Sequence, residues 1–201
     1  MFFMTWIIAG LGNPGEEYTH TRHNAGRMAL QYVCEEKNLG EWKFDKKSNA
    51  LIARGMIGKT ASVLVLPETF MNKSGSAVVK YVKSVKAAEK LIVVYDDLDL
   101  PLGKMKMSFD RGSGGHKGIE SIARALKTKK FWRIRVGVSP ATASGKLRKP
   151  SGEEDVLDFI LGKFKTSELP ILKSLFKRIS SALETVTTDG AMKAMNEFNT
   201  P

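Results

Sequence analysis

The sequence predicts an α/β fold, a single-domain sandwich with a mixed, mostly parallel central sheet flanked by helices on both faces. Two observations carry this prediction. Short apolar runs bounded by turn residues alternate along the chain with segments whose apolar residues recur at helical spacing. A chain of 201 residues also has the length of one ordinary domain, so we predict one domain over residues 1–201.

The strands are predicted from continuous or alternating apolar runs. They cover residues 5–11, 50–57, 60–67, 91–97, 104–109 and 131–138. The run 91–97 is the most apolar and should lie at the centre of the sheet, whereas 104–109 alternates lysine with methionine, as an exposed edge strand does. The run 131–138 also alternates, with arginine at positions 133 and 135.

The helices are predicted where apolar residues recur every three or four positions. The first helix begins near Asn24 and ends by Gly40. Two further helices cover residues 74–85 and 119–126, and a long C-terminal helix runs through residues 171–186. The loop 139–154 has turn residues and lysines but no apolar period, so we expect it to be mobile.

The composition favours a polyanionic partner and a reducing compartment. Lysine and arginine number 32 against 21 acidic residues, a formal net charge of +11. A chain this basic is typical of proteins that neutralise nucleic-acid phosphates. Cys34 is the single cysteine, which excludes an intramolecular disulfide and a cysteine-ligated metal cluster. The apolar start has neither the basic region of a secretion signal nor the length of a membrane span, so we expect a cytoplasmic protein.

The first predicted turn, GLGNPG, matches the spacing G-x-G-x-x-G of dinucleotide-binding proteins. That motif needs a helix directly at its third glycine, so that the helix amides face the pyrophosphate. Here helical spacing resumes about nine residues later, and Glu16 and Glu17 stand where phosphate would lie. A nucleotide-binding enzyme therefore remains the weaker alternative, and the turn is more readily interpreted as the edge of a site around His23.

His23 is the candidate general base, because imidazole is the side chain whose ordinary pKa lies closest to neutrality. A histidine that only caps a helix or packs in the core is the alternative. Asp96 follows directly on the predicted central strand and should emerge beside the first turn, where its carboxylate could fix the tautomer of His23. Asp96, Asp97 and Asp99 could equally cap a turn. We expect one of them to take part in chemistry.

Water is the expected nucleophile, because the sequence shows no nucleophile elbow around serine or cysteine and no zinc-ligand spacing. Asn13 and Asn72 are candidates to orient that water, since an amide donates and accepts without titrating. The stretch GSGGHKG, with His116 and Lys117, supplies backbone amides at a helix start that could receive an oxyanion or a phosphate.

Five motifs in this order, GLGNPG, TRHNAG, PETFMNKSG, YDDLDLPLGKMK and GSGGHKGI, resemble the bacterial-type peptidyl-tRNA hydrolase family. The resemblance runs from Ile7 to about Gly137, and DFILGKF and TDGAMKAMNEFN extend it almost to the C-terminus. It implies a monomeric α/β hydrolase that cleaves the ester between a peptide, or an N-blocked aminoacyl group, and the tRNA 3′ end. The implied partner is the acceptor stem and 3′ end of peptidyl-tRNA, with no cofactor, metal ion, membrane or obligate protein partner.

The resemblance also implies roles for individual residues. His23 would accept a proton, Asp96 would stabilise its basic form, and Asn13 would distinguish blocked aminoacyl-tRNA from product. Substrate-binding roles are implied for Tyr18, Phe70, Met71, Asn72, His116 and Lys117. Contacts to tRNA phosphates are implied for Lys104, Lys106, Arg133 and Arg135. Lys117 stands where the family usually has asparagine, which replaces an amide with a long cation.

A non-hydrolytic class remains as an alternative, because some members of this superfamily bind RNA in splicing without hydrolysis. The feature that discriminates the two classes is the set Asn13, His23, Asn72 and Asp96. All four are present in this chain, which favours the hydrolase.

Overall fold

The computed structural model describes residues 5–142 and 146–199. The strands are β1 (Trp6–Gly10), β2 (Lys43–Asp45), β3 (Ala50–Ile57), β4 (Thr60–Pro67), β5 (Leu91–Pro101), β6 (Met105–Phe109) and β7 (Trp132–Ser139). They form one sheet in the order β2-β3-β4-β1-β5-β7-β6. The predicted α/β class with a mixed sheet is confirmed.

The four central strands, β4, β1, β5 and β7, are parallel, and the outer pairs are antiparallel. Parallel strands are covered on both faces, which explains the continuous apolar run at the start of β5. The lysine–methionine strand β6 lies at the sheet edge, as its alternation predicts. In β7, by contrast, every residue is buried, including Arg133 and Arg135, for which the resemblance implied contacts with tRNA phosphates.

Helices cover both faces of the sheet, as predicted. They are α1 (Ala25–Glu36), α2 (Ser74–Val78), α3 (Lys117–Leu126), α4 (Glu153–Leu161), α5 (Leu169–Asp189) and α6 (Ala191–Phe198). Buried side chains of α1, α5 and α6 share one core with the sheet, and those of α2 and α3 share the other. We call residues 25–37 and 165–199 the α1–α5–α6 layer, and residues 71–90 and 117–130 the α2–α3 layer.

Several elements differ from the sequence prediction. The helix expected over residues 74–85 ends at Val78, because the β-branched and aromatic residues that follow are weak helix formers. Strand β2 and helices α4 and α6 were not predicted. An antiparallel bridge joins Ala141 to Leu147 within the 139–154 loop, which we expected to be mobile. Residues 143–145 of this loop lie outside the described residues.

The glycines of the first turn allow α1 to approach the sheet backbone. A Cβ on Gly26 would lie 2.1 Å from the Val94 carbonyl oxygen, and one on Gly10 would lie 2.6 Å from the Gly26 carbonyl oxygen. Contacts below 3.0 Å leave no room for a side chain. The absence of a side chain at Gly10 and Gly26 therefore allows close packing of the helix on the sheet. Within the described ranges, no helix has the length and hydropathy of a membrane span.

Candidate active site

A cleft of about 760 Å³ opens at the carboxyl ends of the central parallel strands, the edge at which open α/β sheets bind ligands. It brings together ten of the thirteen residues singled out from the sequence. These are Asn13, Tyr18, His23, Phe70, Met71, Asn72, Asp96, His116, Lys117 and Arg135. Lys104, Lys106 and Arg133 do not line it.

His23 and Asp96 form the hydrogen-bonded pair that the sequence predicted. His23 lies in a short 3-10 helix just before α1, and Asp96 lies in β5. The His23 Nδ1 atom is 3.0 Å from each carboxylate oxygen of Asp96, and both residues are buried. Because an ionised carboxylate only accepts hydrogen bonds, Nδ1 carries the proton and Nε2 keeps its lone pair. The side chain of His23 lines the cleft, so this lone pair is available for chemistry.

His116 supports the same carboxylate and does not have a free nitrogen for substrate. Its Nδ1 accepts from the backbone amides of Gly118, at 3.1 Å, and Ile119, at 3.3 Å, and so caps α3. Nε2 must therefore carry the ring proton, and it donates to Asp96 Oδ1 across 3.0 Å. Both ring nitrogens of His116 therefore have partners inside the protein, while the residue also lines the cleft, so the substrate-binding role expected of it stays a prediction.

The three aspartates that follow β5's apolar run are also separated by the structure. Asp97 accepts from Arg135 Nε at 2.5 Å and from the backbone amide of Asp99, and Asp99 pairs with Lys149 at 2.7 Å. These contacts are a turn cap and two ion pairs. Asp96 alone of the three contacts the histidines.

The electrostatic environment of the pair raises the pKa of His23 and lowers the pKa of Asp96. Burial lowers the pKa of His23, but the charge of Asp96 and its hydrogen bond raise it, so that the pKa of His23 lies above its ordinary value. Burial raises the pKa of Asp96, yet the facing imidazoles His23 and His116 hold it well below its usual range. The carboxylate is therefore charged at neutral pH and stabilises the imidazolium that forms when His23 takes a proton.

His23, Asp96 and His116 also offer ligand-type atoms within 4.8 Å of one another, the kind of cluster that can hold a metal ion. The hydrogen-bond pattern does not fit that use. His23 Nδ1 and His116 Nε2 face Asp96, and each donates its proton to the carboxylate. His116 Nδ1 already accepts hydrogen bonds from the α3 backbone amides. The donor set fits a positioned base.

Asn13 is held with its amide donor facing the cleft. Its backbone amide donates to Asn24 Oδ1, and Asn24 Nδ2 donates to its carbonyl oxygen. The side-chain oxygen of Asn13 accepts from the Met71 amide at 2.8 Å. The amide nitrogen Nδ2 therefore points away from Met71, and among the described residues it has no hydrogen-bond partner. It can donate to a ligand carbonyl.

Aromatic and apolar side chains form the cleft walls. Tyr18 and Phe70 pack edge to face, with ring centroids 6.4 Å apart, and Phe70 is 56% exposed. Met71 is buried, and its sulfur would lie 2.5 Å from a Cβ on Gly118, so that glycine is needed where the two elements meet. Asn72 is exposed at the cleft rim, and among the described residues it forms no hydrogen bond with His23.

The four predicted phosphate contacts divide into two groups. Lys104 and Lys106 are exposed at the β6 edge, whereas Arg135 is buried in its ion pair with Asp97. Arg133 is 0% exposed, stacks on the Phe131 ring and donates to the carbonyl oxygens of Lys129, Phe131 and Arg111. The expected contact between Arg133 and a phosphate is thus not supported, because the guanidinium has no surface to offer.

Sequence reasoning missed two parts of the site. The first is the apolar face of α4, where Val156, Leu157, Ile160 and Leu161 line the cleft; the i, i+4 spacing of these residues is the signal that could have revealed it. The second is Arg22, whose guanidinium lies against the rings of Phe159 and Phe164 and pairs with Glu168 at 3.0 Å. Arg22 thereby fixes the end of α4 beside His23.

Comparisons with known proteins agree with this arrangement. Residues 7–201 match the family model described as peptidyl-tRNA hydrolase. A peptidyl-tRNA hydrolase of Herpetosiphon aurantiacus is 42% identical, with 96% of this chain and 90% of the relative covered, and one of Desulfitobacterium hafniense is 38% identical, with 96% and 98% covered. The crystal structure of peptidyl-tRNA hydrolase from Acinetobacter baumannii superposes with a TM-score of 0.85 at 30% identity, covering 99% of this chain and 96% of that one. This chain therefore belongs to the peptidyl-tRNA hydrolase family.

Proposed function

We propose that this chain hydrolyses the ester between a peptide, or an N-blocked aminoacyl group, and the 3′ end of tRNA, with His23 as the general base. The observation that carries the proposal is the tautomer of His23. Asp96 holds the proton on Nδ1, which leaves the Nε2 lone pair in the cleft. The relatives named above are called peptidyl-tRNA hydrolases, and nothing observed favours a non-hydrolytic RNA-binding role.

The reaction needs one proton to move twice. His23 Nε2 takes a proton from water as the water oxygen attacks the ester carbonyl, and the charge on Asp96 stabilises the imidazolium. The tetrahedral intermediate then collapses, the bond to the ribose oxygen breaks, and the imidazolium returns the proton to that oxygen. The products are the free peptide acid and tRNA with a free 3′ end, and His23 is again neutral.

Asn13 is proposed to recognise the blocked substrate. Its Nδ2 group is fixed by the contact of Oδ1 with Met71, so it presents a donor and no acceptor to the cleft. A carbonyl oxygen of the peptide, or the oxyanion that forms during attack, is the complementary group. The free ammonium of an unblocked aminoacyl-tRNA offers only donors, which suits this site poorly.

The cleft walls are proposed to bind the two ends of the substrate. Tyr18 and Phe70 offer aromatic faces for the terminal base, for which stacking is a typical contact, and Asn72 offers an amide at the same rim. The apolar side chains of α4 would pack against the peptide. Lys117 at the rim supplies a cation close to where the terminal phosphates would lie.

Phosphate contacts outside the cleft are proposed for Lys104 and Lys106, which are exposed, and for Arg135 only if it exchanges Asp97 for a phosphate.

We also propose that the chain acts as a monomer, because one chain supplies every group that the mechanism uses. A cytoplasmic location follows from the proposed substrate, which forms during translation.

The test compares the hydrolysis of N-acetylated aminoacyl-tRNA with that of the same aminoacyl-tRNA carrying a free amine. Hydrolysis is measured as the release of acid-soluble label. Cleavage of the acetylated substrate, with at most slow cleavage of the free one, is the expected result. Equal rates would refute the role given to Asn13, and no cleavage of either would refute the hydrolase assignment.

A further inference from the structure

We propose that Arg22 is a positioning residue that holds helix α4 at the cleft, and that it thereby sets how well the chain binds substrates with a long apolar acyl group. The inference rests on the proposed function and adds to it a residue that does not touch the substrate. It is carried by the contacts of the Arg22 guanidinium, by the few other attachments of α4, and by the apolar face that α4 presents to the cleft.

The guanidinium of Arg22 joins the end of α4 to the start of α5. Its Nη1 atom donates to the carbonyl oxygens of Gly162, at 3.3 Å, and Lys163, at 2.7 Å, which directly follow α4. Its Nη2 atom donates to Glu168 across 3.0 Å, and its Cζ atom lies 4.7 Å from the centroid of the Phe159 ring. A planar fork can make these contacts together, whereas an ammonium cannot. Arg22 is therefore a specific attachment point for α4.

The backbone of the same segment is attached to the end of α4 as well. Residues 20–22 pair with residues 162–164 in antiparallel fashion, through a bridge between Thr21 and Lys163 and two backbone hydrogen bonds of 2.9 and 3.0 Å. The segment 20–22 directly precedes His23. The end of α4 is therefore attached to the part of the chain that carries the proposed base.

Helix α4 has little other support. No residue of α4 is buried, and among the described elements the helix packs chiefly against the short 3-10 helix Arg22–Asn24. Phe159, whose ring Arg22 covers, packs partly against the core of the α1–α5–α6 layer. An isolated helix of nine residues, the length of α4, is marginally stable in water. We therefore expect loss of the Arg22 contacts to release α4 while the sheet and the other helices stay folded.

The face of α4 that Arg22 holds at the cleft is apolar. Val156, Leu157, Ile160 and Leu161 line the cleft. A long apolar acyl group gains affinity by covering these side chains, because burial of apolar surface is favourable in proportion to its area. An acetyl group offers little apolar area to bury, so its binding should depend little on α4.

Arg22 acts through α4 and not on the substrate. It is 7% exposed and is not among the residues that line the cleft. Both of its terminal nitrogens donate within the protein, and its Nε atom is buried without a hydrogen-bond partner in the described part of the chain. The guanidinium therefore offers no group to a phosphate or carboxylate of the substrate.

Three substrates with the same ester separate the length of the acyl group from its apolar area. They are N-acetyl-alanyl-tRNA, N-acetyl-Gly-Gly-alanyl-tRNA and N-acetyl-Leu-Leu-alanyl-tRNA. Both kcat and KM are measured for each substrate, and affinity is measured for the matching analogues in which an amide replaces the ester. Hydrogen exchange of the α4 backbone amides measures whether the helix is held in place.

The test variant is Arg22→Met, which keeps an apolar stem beside Phe159 and removes every hydrogen bond of the guanidinium. Arg22→Lys keeps the charge beside Glu168 and should restore part of the effect. Leu183→Ala is the control for lost stability, because Leu183 is fully buried in α5 and does not line the cleft. Leu157→Ser removes apolar area from α4 at a side chain that is 51% exposed, and it is combined with Arg22→Met in a double-variant cycle.

Arg22→Met should raise KM for the Leu-Leu substrate by about 5- to 20-fold, with kcat within about twofold of the parent value. KM for the acetyl and Gly-Gly substrates should change by less than about twofold, because these acyl groups bury little apolar area. The α4 amides should exchange faster. Leu157→Ser should show the same pattern more weakly and should have no further effect in combination with Arg22→Met, while Leu183→Ala should keep all three KM values.

An unchanged KM for the Leu-Leu substrate in Arg22→Met would overturn the proposal, as would an equal rise for all three substrates or additive effects of Arg22→Met and Leu157→Ser. A fall in kcat on all three substrates with unchanged KM would show that Arg22 positions His23 and not α4, and the proposal would then be wrong. If the parent chain cleaves none of the substrates, the proposed function fails, and the affinities for the amide analogues still decide whether Arg22 controls binding of the acyl group.

Discussion

The two helical layers cover the same sheet but differ in how their charges are arranged. In the α1–α5–α6 layer cations and acids nearly balance and several form ion pairs, whereas the α2–α3 layer holds ten cations that have no acidic partner among the described residues. The long helix α5 buries nine residues, while α2 and α3 together bury eight. Both layers therefore bury a similar number of residues against the sheet, and they differ chiefly in the charge that they present to solvent.

The cleft lies between these layers and takes residues from the start of helices in both. His23 and Asn13 precede α1, while Met71 and His116 precede α2 and α3. Asp96, at the end of the central strand's buried run, connects the two sides through its two histidine contacts. Catalysis should therefore depend on this junction, whereas substitutions in the buried face of α5 should affect stability.

The largest effect is expected at the junction. His23→Ala removes the base but little contact area, so kcat on N-acetylated aminoacyl-tRNA should fall by about 10²- to 10⁴-fold while tRNA affinity and Tm change little. Single-turnover hydrolysis and equilibrium binding measure the two quantities separately. Parent-like turnover in this variant would remove His23 from the mechanism.

A large effect of another kind is expected in α5. Leu183 is fully buried against the sheet, and Leu183→Ala should lower the free energy of unfolding by about 2 to 5 kcal/mol through lost burial and a cavity. Denaturant unfolding measures that loss. The tRNA affinity of the folded variant should stay at the parent value, and a selective loss of affinity would contradict the division between the layers.

A smaller effect is expected from His116→Ala, which removes one of two imidazole donors to Asp96 and the cap of α3. We expect kcat to fall by about 10- to 100-fold with KM nearly unchanged, because a hydrogen bond to a charged group contributes about 1.5–3 kcal/mol. The matched control is His20→Asn, since His20 is exposed and has a φ of 66° that asparagine tolerates. A rise in KM alone for His116→Ala would instead indicate substrate binding.

The smallest effect is expected where the balanced layer carries a surface ion pair. Lys37→Gln breaks the contact with Glu184 and should change the free energy of unfolding by less than about 1 kcal/mol. Filter binding should detect no change in tRNA affinity. A clear loss of tRNA affinity in Lys37→Gln would mean that net charge, and not its position, controls binding.

The sequence predicted the contact between His23 and Asp96 better than it predicted the role of His116, the burial of Arg133 or the position of α4. The pairing of His23 with Asp96 followed from the rule that adjacent parallel strands end at one sheet edge. The role of His116 did not, because its tautomer depends on two backbone amides that become available only once α3 is placed. The motif suggested a substrate contact, and the structure shows a helix cap.

Arg133 and α4 show why a pattern along one element does not determine its surroundings. The resemblance implied a phosphate contact for Arg133, but the carbonyl oxygens of Arg111, Lys129 and Phe131 surround its guanidinium. Helix α4 has apolar side chains without a core to bury them, because they face the cleft. The spacing of the apolar residues in α4 identifies an apolar helix face, but it does not say what that face contacts.

The role of His23 as the base is tested most directly by the pH dependence of kcat/KM in the parent chain and in Asp96→Asn. Activity of the parent chain should fall on the acid side as His23 is protonated, with a midpoint above the ordinary histidine pKa because Asp96 raises the pKa of His23. In Asp96→Asn the rate should fall and the midpoint should move to lower pH, since burial then lowers that pKa without an opposing charge. A midpoint that stays in place, or a parent profile without an acidic limb, would contradict the claim that His23, held by Asp96, is the base.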